Sequence, residues 1–442
     1  MDMTHTPIRR LLLKLSPPVM LALLIQSVYN IVDSFFVARY SSEGLTALSI
    51  IYPIQLLMTA LATGTGAGVN LLISRMDGKG ETEKQSSVVT CGLVLALVHY
   101  LLFAVLEFFL ADAYFQLSSA NELVNTQGVT YSNIIFAGSL GIFVESICTK
   151  ILQARGNMAL PMVAQIIGAV INIVLDPVLI FGLFGAPCMG IAGAAIATVL
   201  GQWLAMVITF TAVRRIYPQH GKWSRSACFQ IYQNGIGSIV TQSLYTLYIV
   251  GLNMILALFS EDAVTVLGIY YKIQSFFFIP LLGFQQVLLP VISHNFGAGQ
   301  AHRIRQTVRF AAMLSSGLML AATFVFLMFP RSLLTIFSSK EELLRIGEYA
   351  LRVISLSFVP AGITIVVTSH LQSIAKMKLS VFVIVLRQVI LLVPLAWLLH
   401  FAGLKAVWWT FPLTELIATA ICIIFEKNIA YNNPSIDMVS LL

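Results

Sequence analysis

Residues 171–180 read INIVLDPVLI, an apolar run carrying an amide, a carboxylate and a proline. Asn172 and Asp176 are spaced i, i+4, so a helix presents both on one face. Pro177 has no N–H, which releases the carbonyl of Ile173 from its helical partner. A carboxylate, an amide and a freed carbonyl thus lie together, and hard cations and protons seek those groups. A second set stands near the start of the chain, where Gln26, Tyr29, Asn30 and Asp33 form one polar stripe along a helix. Asp33 lies about 18 residues into its apolar run and Asp176 about 16 into its own. At 1.5 Å per residue both sit about 25 Å up. Thr198 and Tyr131 fall at a compatible depth, and Glu145 falls lower, in the inner half.

The elements that must carry these residues follow from composition. Of 442 residues 58% are apolar and only 10% are charged. A soluble domain carries about 25% charged residues, so the chain reads as an integral membrane protein. Twelve apolar runs are long enough to cross a bilayer as helices. They lie near 15–38, 50–74, 88–111, 129–152, 160–181 and 190–213, then near 233–258, 265–293, 308–330, 348–374, 380–401 and 405–426. The first run continues beyond a signal core with no small-residue cleavage site, and is expected to be retained. An aspartate at the centre of such a helix costs about 2.5–3.5 kcal/mol on insertion scales, so Asp33 and Asp176 are expected to serve a function. GIAGAAIA at 190–197 reads as close helix packing. The five cysteines are scattered, forming neither a disulfide framework nor a metal set.

Charge gives the orientation. Of the 26 Lys and Arg, 18 collect on alternate loops, among them Arg9, Lys79, Arg155, Arg214, Arg303 and Lys376. By the positive-inside rule both termini and the 214–232 linker are expected to be cytoplasmic. The net charge of +7 is then explained by those loops, with no nucleic-acid partner.

The two sets of six are related. GLTALSIIYPIQ at 44–55 matches AVTVLGIYYKIQ at 263–274, ISRMDGKG at 73–80 matches ISHNFGAG at 292–299, and LQARGNMA at 152–159 falls on LQSIAKMK at 371–378, all at an offset of 219. A repeat of six spans starts and ends on one side, so the halves share an orientation. The expected fold is an all-α polytopic membrane protein of twelve transmembrane helices. They form two six-helix lobes related by a pseudo-twofold along the membrane normal, an arrangement of alternating-access transporters. Residues 1–213 are the N-terminal lobe with the cation site, 214–232 a cytoplasmic linker, 233–430 the C-terminal lobe and 431–442 a cytoplasmic tail. The G-x-G turns lack the lysine–hydroxyl ending of a phosphate loop. Opposite INIVLDPVLI the second half has QVILLVPLAW at 388–397, keeping the proline and losing the acid. Arg387 and Glu415 stand on neighbouring spans there, and are expected to pair as a structural bridge. Cation chemistry is therefore expected in the N-terminal lobe alone.

Over about residues 10–430 the chain resembles the multidrug and toxic compound extrusion transporters. The resemblance is carried by VDSFFVAR, the GKGE and GAGQ turns, LQARGN, NIVLDP and GIAGAAIAT. It implies a secondary active antiporter that exports amphipathic, often cationic compounds in exchange for H⁺ or Na⁺, with no other cofactor. It implies that Asp33, Asn172, Asp176 and Thr198 form the cation site, with possible Na⁺ at Asp33, Asn172 and Asp176 and no further metal. Gln26, Asn30, Tyr131 and Glu145 extend the network or meet substrate, and Pro18 and Pro177 act as hinges. Span 7 has no acid, so a sodium site there is not expected. The setting is the cell inner membrane, multi-pass and monomeric, with the lipid bilayer and small molecules as the partners.

Two other readings stand beside it. A flippase for lipid-linked precursors shares the superfamily fold, but an anionic pyrophosphate lipid calls for Arg and Lys where this cavity has Asp33, Asp176 and Glu145. A polytopic membrane enzyme needs a nucleophile–base pair or metal ligands, and the seven histidines have no such spacing. The topology is checked with a cysteine at Lys79. An impermeant thiol reagent is expected to label it only in opened cells, and labelling of intact cells would reverse the orientation.

Overall fold

The structure, a computed structural model, describes residues 3–218 and 221–432, so the expected tail lies outside the described residues from 433 onward. Among the described residues every regular element is helical. The first half holds α1 (Ile8–Tyr40), α2 (Ser42–Lys79), α3 (Thr82–Ser118), α4 (Glu122–Ala137), α5 (Leu140–Ala154), α6 (Ala159–Phe181) and α7 (Ile191–Ile216). The second holds α8 (Arg225–Ala257), α9 (Glu261–Gly297), α10 (Ala301–Met328), α11 (Pro330–Thr335), α12 (Glu341–Ser355), α13 (Phe358–Ser373), α14 (Met377–Val385), α15 (Leu392–His400), α16 (Leu404–Val407) and α17 (Thr410–Asn432). Among the described residues ten helical segments are long and apolar enough to span a membrane. The bent pairs α4–α5 and α12–α13 raise the total to twelve. Of the described residues of the expected 214–232 linker, only 217, 218 and 221–224 are outside helices.

The described residues cluster into two compact units, one from 15 to 239 and one from 240 to 432 that also takes in residues 3–14. Both α1 and α8 therefore run continuously from one unit into the other. In the first unit the segment before α8 is tied to α3, with Ser87 Oγ donating to the Lys222 carbonyl at 2.5 Å and the Gly221 N–H donating to Thr90 Oγ1 at 3.0 Å. In the second unit the segment before α1 is tied to α10. Arg303 donates to the carbonyls of Met3 at 3.0 Å and Thr6 at 2.8 Å, and its Nε reaches Asn295 Oδ1 at 3.0 Å. A loop arginine that sequence assigns to orientation is thus also a structural latch.

The bends have a local cause. Ser139 and Ser357 stand at the two breaks and turn back on the preceding turn, donating to the carbonyls of Phe136 at 2.8 Å and Ile354 at 2.6 Å. A serine that competes in this way for a helical carbonyl favours a bend. The two angles are 43° and 44°. Aromatic rings pack around each bend: Phe103 stacks on Phe136 at 5.9 Å in the first unit, and Phe326 meets Phe358 edge-on at 5.0 Å in the second.

The repeat also extends to the backbone. Gly80 and Gly299 end α2 and the α9 turn with φ of 75° and 69°, so in each G-x-G the second glycine makes the turn. Gly156 and Ala375 form another matched pair, with φ of 74° and 63°. The left-handed region costs a residue with a Cβ about 1–2 kcal/mol, and at Ala375 that cost is unrelieved. Ala375→Gly is expected to stabilise the protein by roughly 0.5–1 kcal/mol, after allowing for the greater freedom of the unfolded chain. Thermal unfolding in detergent checks this, and a lower midpoint than wild type would contradict it.

Candidate cation and substrate site

The site of the first unit rests on the packing of α6 against α7. A Cβ added at Gly168 would stand 2.7 Å from the Gly201 carbonyl oxygen, and one at Gly201 would stand 2.6 Å from that of Gly168. No real Cβ sits so close, so the two backbones touch only because both residues are glycine. Further along, Gly193 meets the Leu179 backbone in the same way, and Ala194, Ala195 and Ala197 are buried. GIAGAAIA is helix packing, as its composition indicates.

This contact sets Thr198 of α7 against Asn172 of α6. Asn172 Nδ2 donates to Thr198 Oγ1 at 3.2 Å and, more weakly, to Asp176 Oδ1 at 3.4 Å. Asn172 is 2% exposed and Asp176 is fully buried. Asp33 of α1 is half-buried and close enough to Asp176 for their charges to interact. Three oxygens, Asp33 Oδ1, Asn172 Oδ1 and Asp176 Oδ2, are shut off from solvent without a hydrogen-bond donor. A buried acceptor in that state costs about 1–3 kcal/mol, and more if charged. A proton or a small cation supplies what all three lack. Tyr29 and Tyr131 lie within electrostatic reach of both aspartates.

Beside this cluster lies a partly open cavity of about 110 Å³, lined on its polar side by Gln26, Tyr29, Glu145, Gln165, Asn172 and Thr198. Glu145 accepts hydrogen bonds from Thr149 at 2.7 Å and Gln165 at 3.2 Å. Asp33, Asp176 and Tyr131 do not line the cavity, which meets the acid pair through Asn172. Asn30 is not brought to it, being exposed on α1. The cavity lies on the Tyr29 side of the stripe, and the next residue is turned about 100° away. Pro18 and Pro177 lie inside α1 and α6.

Gln165 is the residue that sequence reading missed here. It stands seven before Asn172 on the same face of α6, so extending the i, i+4 pattern backward by two turns finds it. The second half also holds a buried acid that the sequence reading did not single out. Glu415 accepts from Arg387 Nε at 2.7 Å, the expected bridge. In addition, His370 of α13 and Glu426 of α17 pair at 2.8 Å with both side chains fully buried. Glu415, Thr419, Cys422 and Glu426 follow helical spacing along one face of α17, a pattern hidden by its long, otherwise apolar sequence.

The MatE family model matches the chain twice, at residues 18–178 and 238–398, once in each half. The chain belongs to the MatE family. It is therefore a transporter and not an enzyme, and the double match agrees with the internal repeat. A protein named FAD transporter from Shewanella oneidensis is 26% identical over 96% of this chain and 95% of its own. A multidrug export protein, MepA, from Staphylococcus haemolyticus is 23% identical over 99% and 97%. The structure of a MOP superfamily transporter from Pyrococcus furiosus superposes with a TM-score of 0.89, at 21% identity over 97% of each chain. At that identity the likeness establishes the fold of two six-helix lobes.

The ion pair of the second unit allows a stability test. Glu415→Ala is expected to cost about 3–5 kcal/mol, because it strands the half-buried Arg387, whereas Arg387→Gln with Glu415→Gln is milder. Unfolding midpoints in detergent rank the two, and a double variant weaker than the single would refute a stranded charge.

Proposed function

We propose that the protein is a secondary active exporter of amphipathic, cationic compounds, exchanging them for H⁺ or Na⁺ at Asp33, Asn172, Asp176 and Thr198. The observation that carries this reading is the trio of buried, donor-less oxygens beside a cavity that Glu145 lines. Two carboxylates at one depth in low dielectric do not both stay ionised cheaply, so the pair takes a proton or shares a cation. Related proteins named for multidrug export support the choice of cargo. The acids also favour cationic cargo over the anionic lipids of a flippase.

The cycle follows from one change of charge. A cation entering from outside neutralises the aspartates and removes the repulsion that holds α1 and α6 apart. The helices then draw together, flexing at Pro18 and Pro177. The cavity reshapes and releases its cargo outward. Loss of the cation to the inside restores the charged pair and the open cavity. Exchange runs uphill for cargo because the two conformations differ in affinity for the ion. Gln26, Tyr29, Tyr131 and Glu145 orient ion or cargo. The protein works as a monomer in the cell inner membrane, with both termini in the cytoplasm.

Asp33→Asn and Asp176→Asn are each expected to lower gradient-driven efflux from everted vesicles at least tenfold while the protein inserts normally. Efflux driven separately by a pH gradient and by a sodium gradient identifies the ion. Near wild-type accumulation by either variant would place the coupling site elsewhere.

A further inference from the structure

The exchange cycle makes no use of a group of cations at one end of the second unit. Arg9, Arg10 and Lys14 stand just before the first apolar run, and Arg305 and Arg309 stand at the start of the ninth. Residues 3–14 and α10 belong to the same compact unit, and the latch of Arg303 onto the Met3 and Thr6 carbonyls holds them together. At the start of α1, Ile8, Leu11 and Leu12 are buried, which turns Arg9, Arg10 and Lys14 outward. The Arg9 guanidinium lies 6.0 Å from the centre of the Phe310 ring. It therefore stands beside α10 next to Arg309, which is exposed.

This charge is uncompensated. The sequence has no Asp or Glu at residues 3–32 or at 263–340. Among the described residues none of Arg9, Arg10, Lys14 and Arg309 is in an ion pair. Exposed cations elsewhere take an acid: Lys340 meets Asp262 at 2.7 Å, Arg331 meets Glu341 at 2.6 Å and Lys84 meets Glu81 at 2.8 Å. Like charges held close repel, so an anion from outside the chain lowers the energy of this group.

The outer face of α10 continues from these cations into the membrane. Arg309, Met313, Gly317, Leu320 and Phe324 follow helical spacing along one exposed side. A Cβ at Gly317 would meet nothing within 4 Å, so the glycine leaves a notch between Met313 and Leu320. From Arg309 to Leu320 this face runs about 16 Å along the helix axis. One leaflet is about as deep, being half of a hydrocarbon core of about 30 Å. Guanidinium groups at headgroup level thus stand over an indented apolar track.

We propose that this face binds an anionic phospholipid, with its phosphate between Arg9 and Arg309 and one acyl chain in the notch at Gly317. Guanidinium groups suit a phosphodiester, because each presents two N–H donors to two oxygens. A zwitterionic lipid carries its own ammonium beside the phosphate, so the cations favour a headgroup without one. The leaflet, the cytoplasmic one, follows from the orientation proposed above. Binding itself needs neither gradient nor cargo, so its failure is separable from failure of the export reading.

Native mass spectrometry of the purified full chain tests this, with phosphatidylglycerol and phosphatidylcholine of the same acyl chains as the probes. The anionic lipid is expected to bind at least about fivefold more tightly. Arg9→Gln combined with Arg309→Gln is expected to weaken phosphatidylglycerol about 5–30-fold and phosphatidylcholine little. Lys376→Gln combined with Lys378→Gln removes two exposed cations elsewhere in the unit and is expected to leave both affinities unchanged. Gly317→Leu fills the notch and is expected to weaken both lipids alike. Equal affinity of the wild-type protein for the two lipids would overturn the proposal, as would equal losses in the arginine and lysine variants. Displacement of the lipid by inorganic phosphate would mark a site for soluble anions and overturn it too.

Discussion

A carboxylate buried among apolar helices has no water to complete its hydrogen bonds, and the first unit is built around that constraint at Asp176. The residue is fully buried, and its one polar contact among the described side chains is a long hydrogen bond from Asn172. That contact is internal to α6, whereas the close approach of α6 and α7 at Gly168 and Gly201 brings Thr198 within reach of the same amide. A larger residue at either glycine would force the helices apart and dissolve the arrangement. The site is therefore a consequence of close backbone packing and not of the acidic residue alone.

The two units handle buried acids differently. In the second, Glu415 has Arg387 and Glu426 has His370, each at hydrogen-bonding distance. In the first, Asp33 and Asp176 face each other's charge with no basic partner among the described residues. A compensated acid is structurally settled, whereas an uncompensated one must bind or lose something when its surroundings change. One architecture, duplicated, thus holds an uncompensated acid pair in one unit and charge-balanced acids in the other. The duplication itself extends to the bends at Ser139 and Ser357 and to the left-handed positions Gly156 and Ala375.

Much of this was legible in the residues. Apolar runs of spanning length, the offset of 219 and the family motifs led to twelve helices in two related halves, because hydropathy and helix length are local properties. The i, i+4 spacing of Asn172 and Asp176 likewise placed both on one face. Gln165 was legible in principle, lying on the same periodic stripe. Asn30 shows the limit: it shares the spacing of Gln26, Tyr29 and Asp33, but spacing defines a face only to within a turn of about 100° per residue.

Sequence alone determined the class of the molecule, its repeat and the presence of acids in its apolar runs, since composition and periodicity are properties of single segments. Tertiary structure decided which oxygens are left without donors, that Glu426 meets His370 fifty-six positions away, and that a π-helical turn directs Arg387 and Gln388 toward tyrosines from α8 and α9. Those facts depend on how separate helices pack, and the register of one helix against another is written in no single segment.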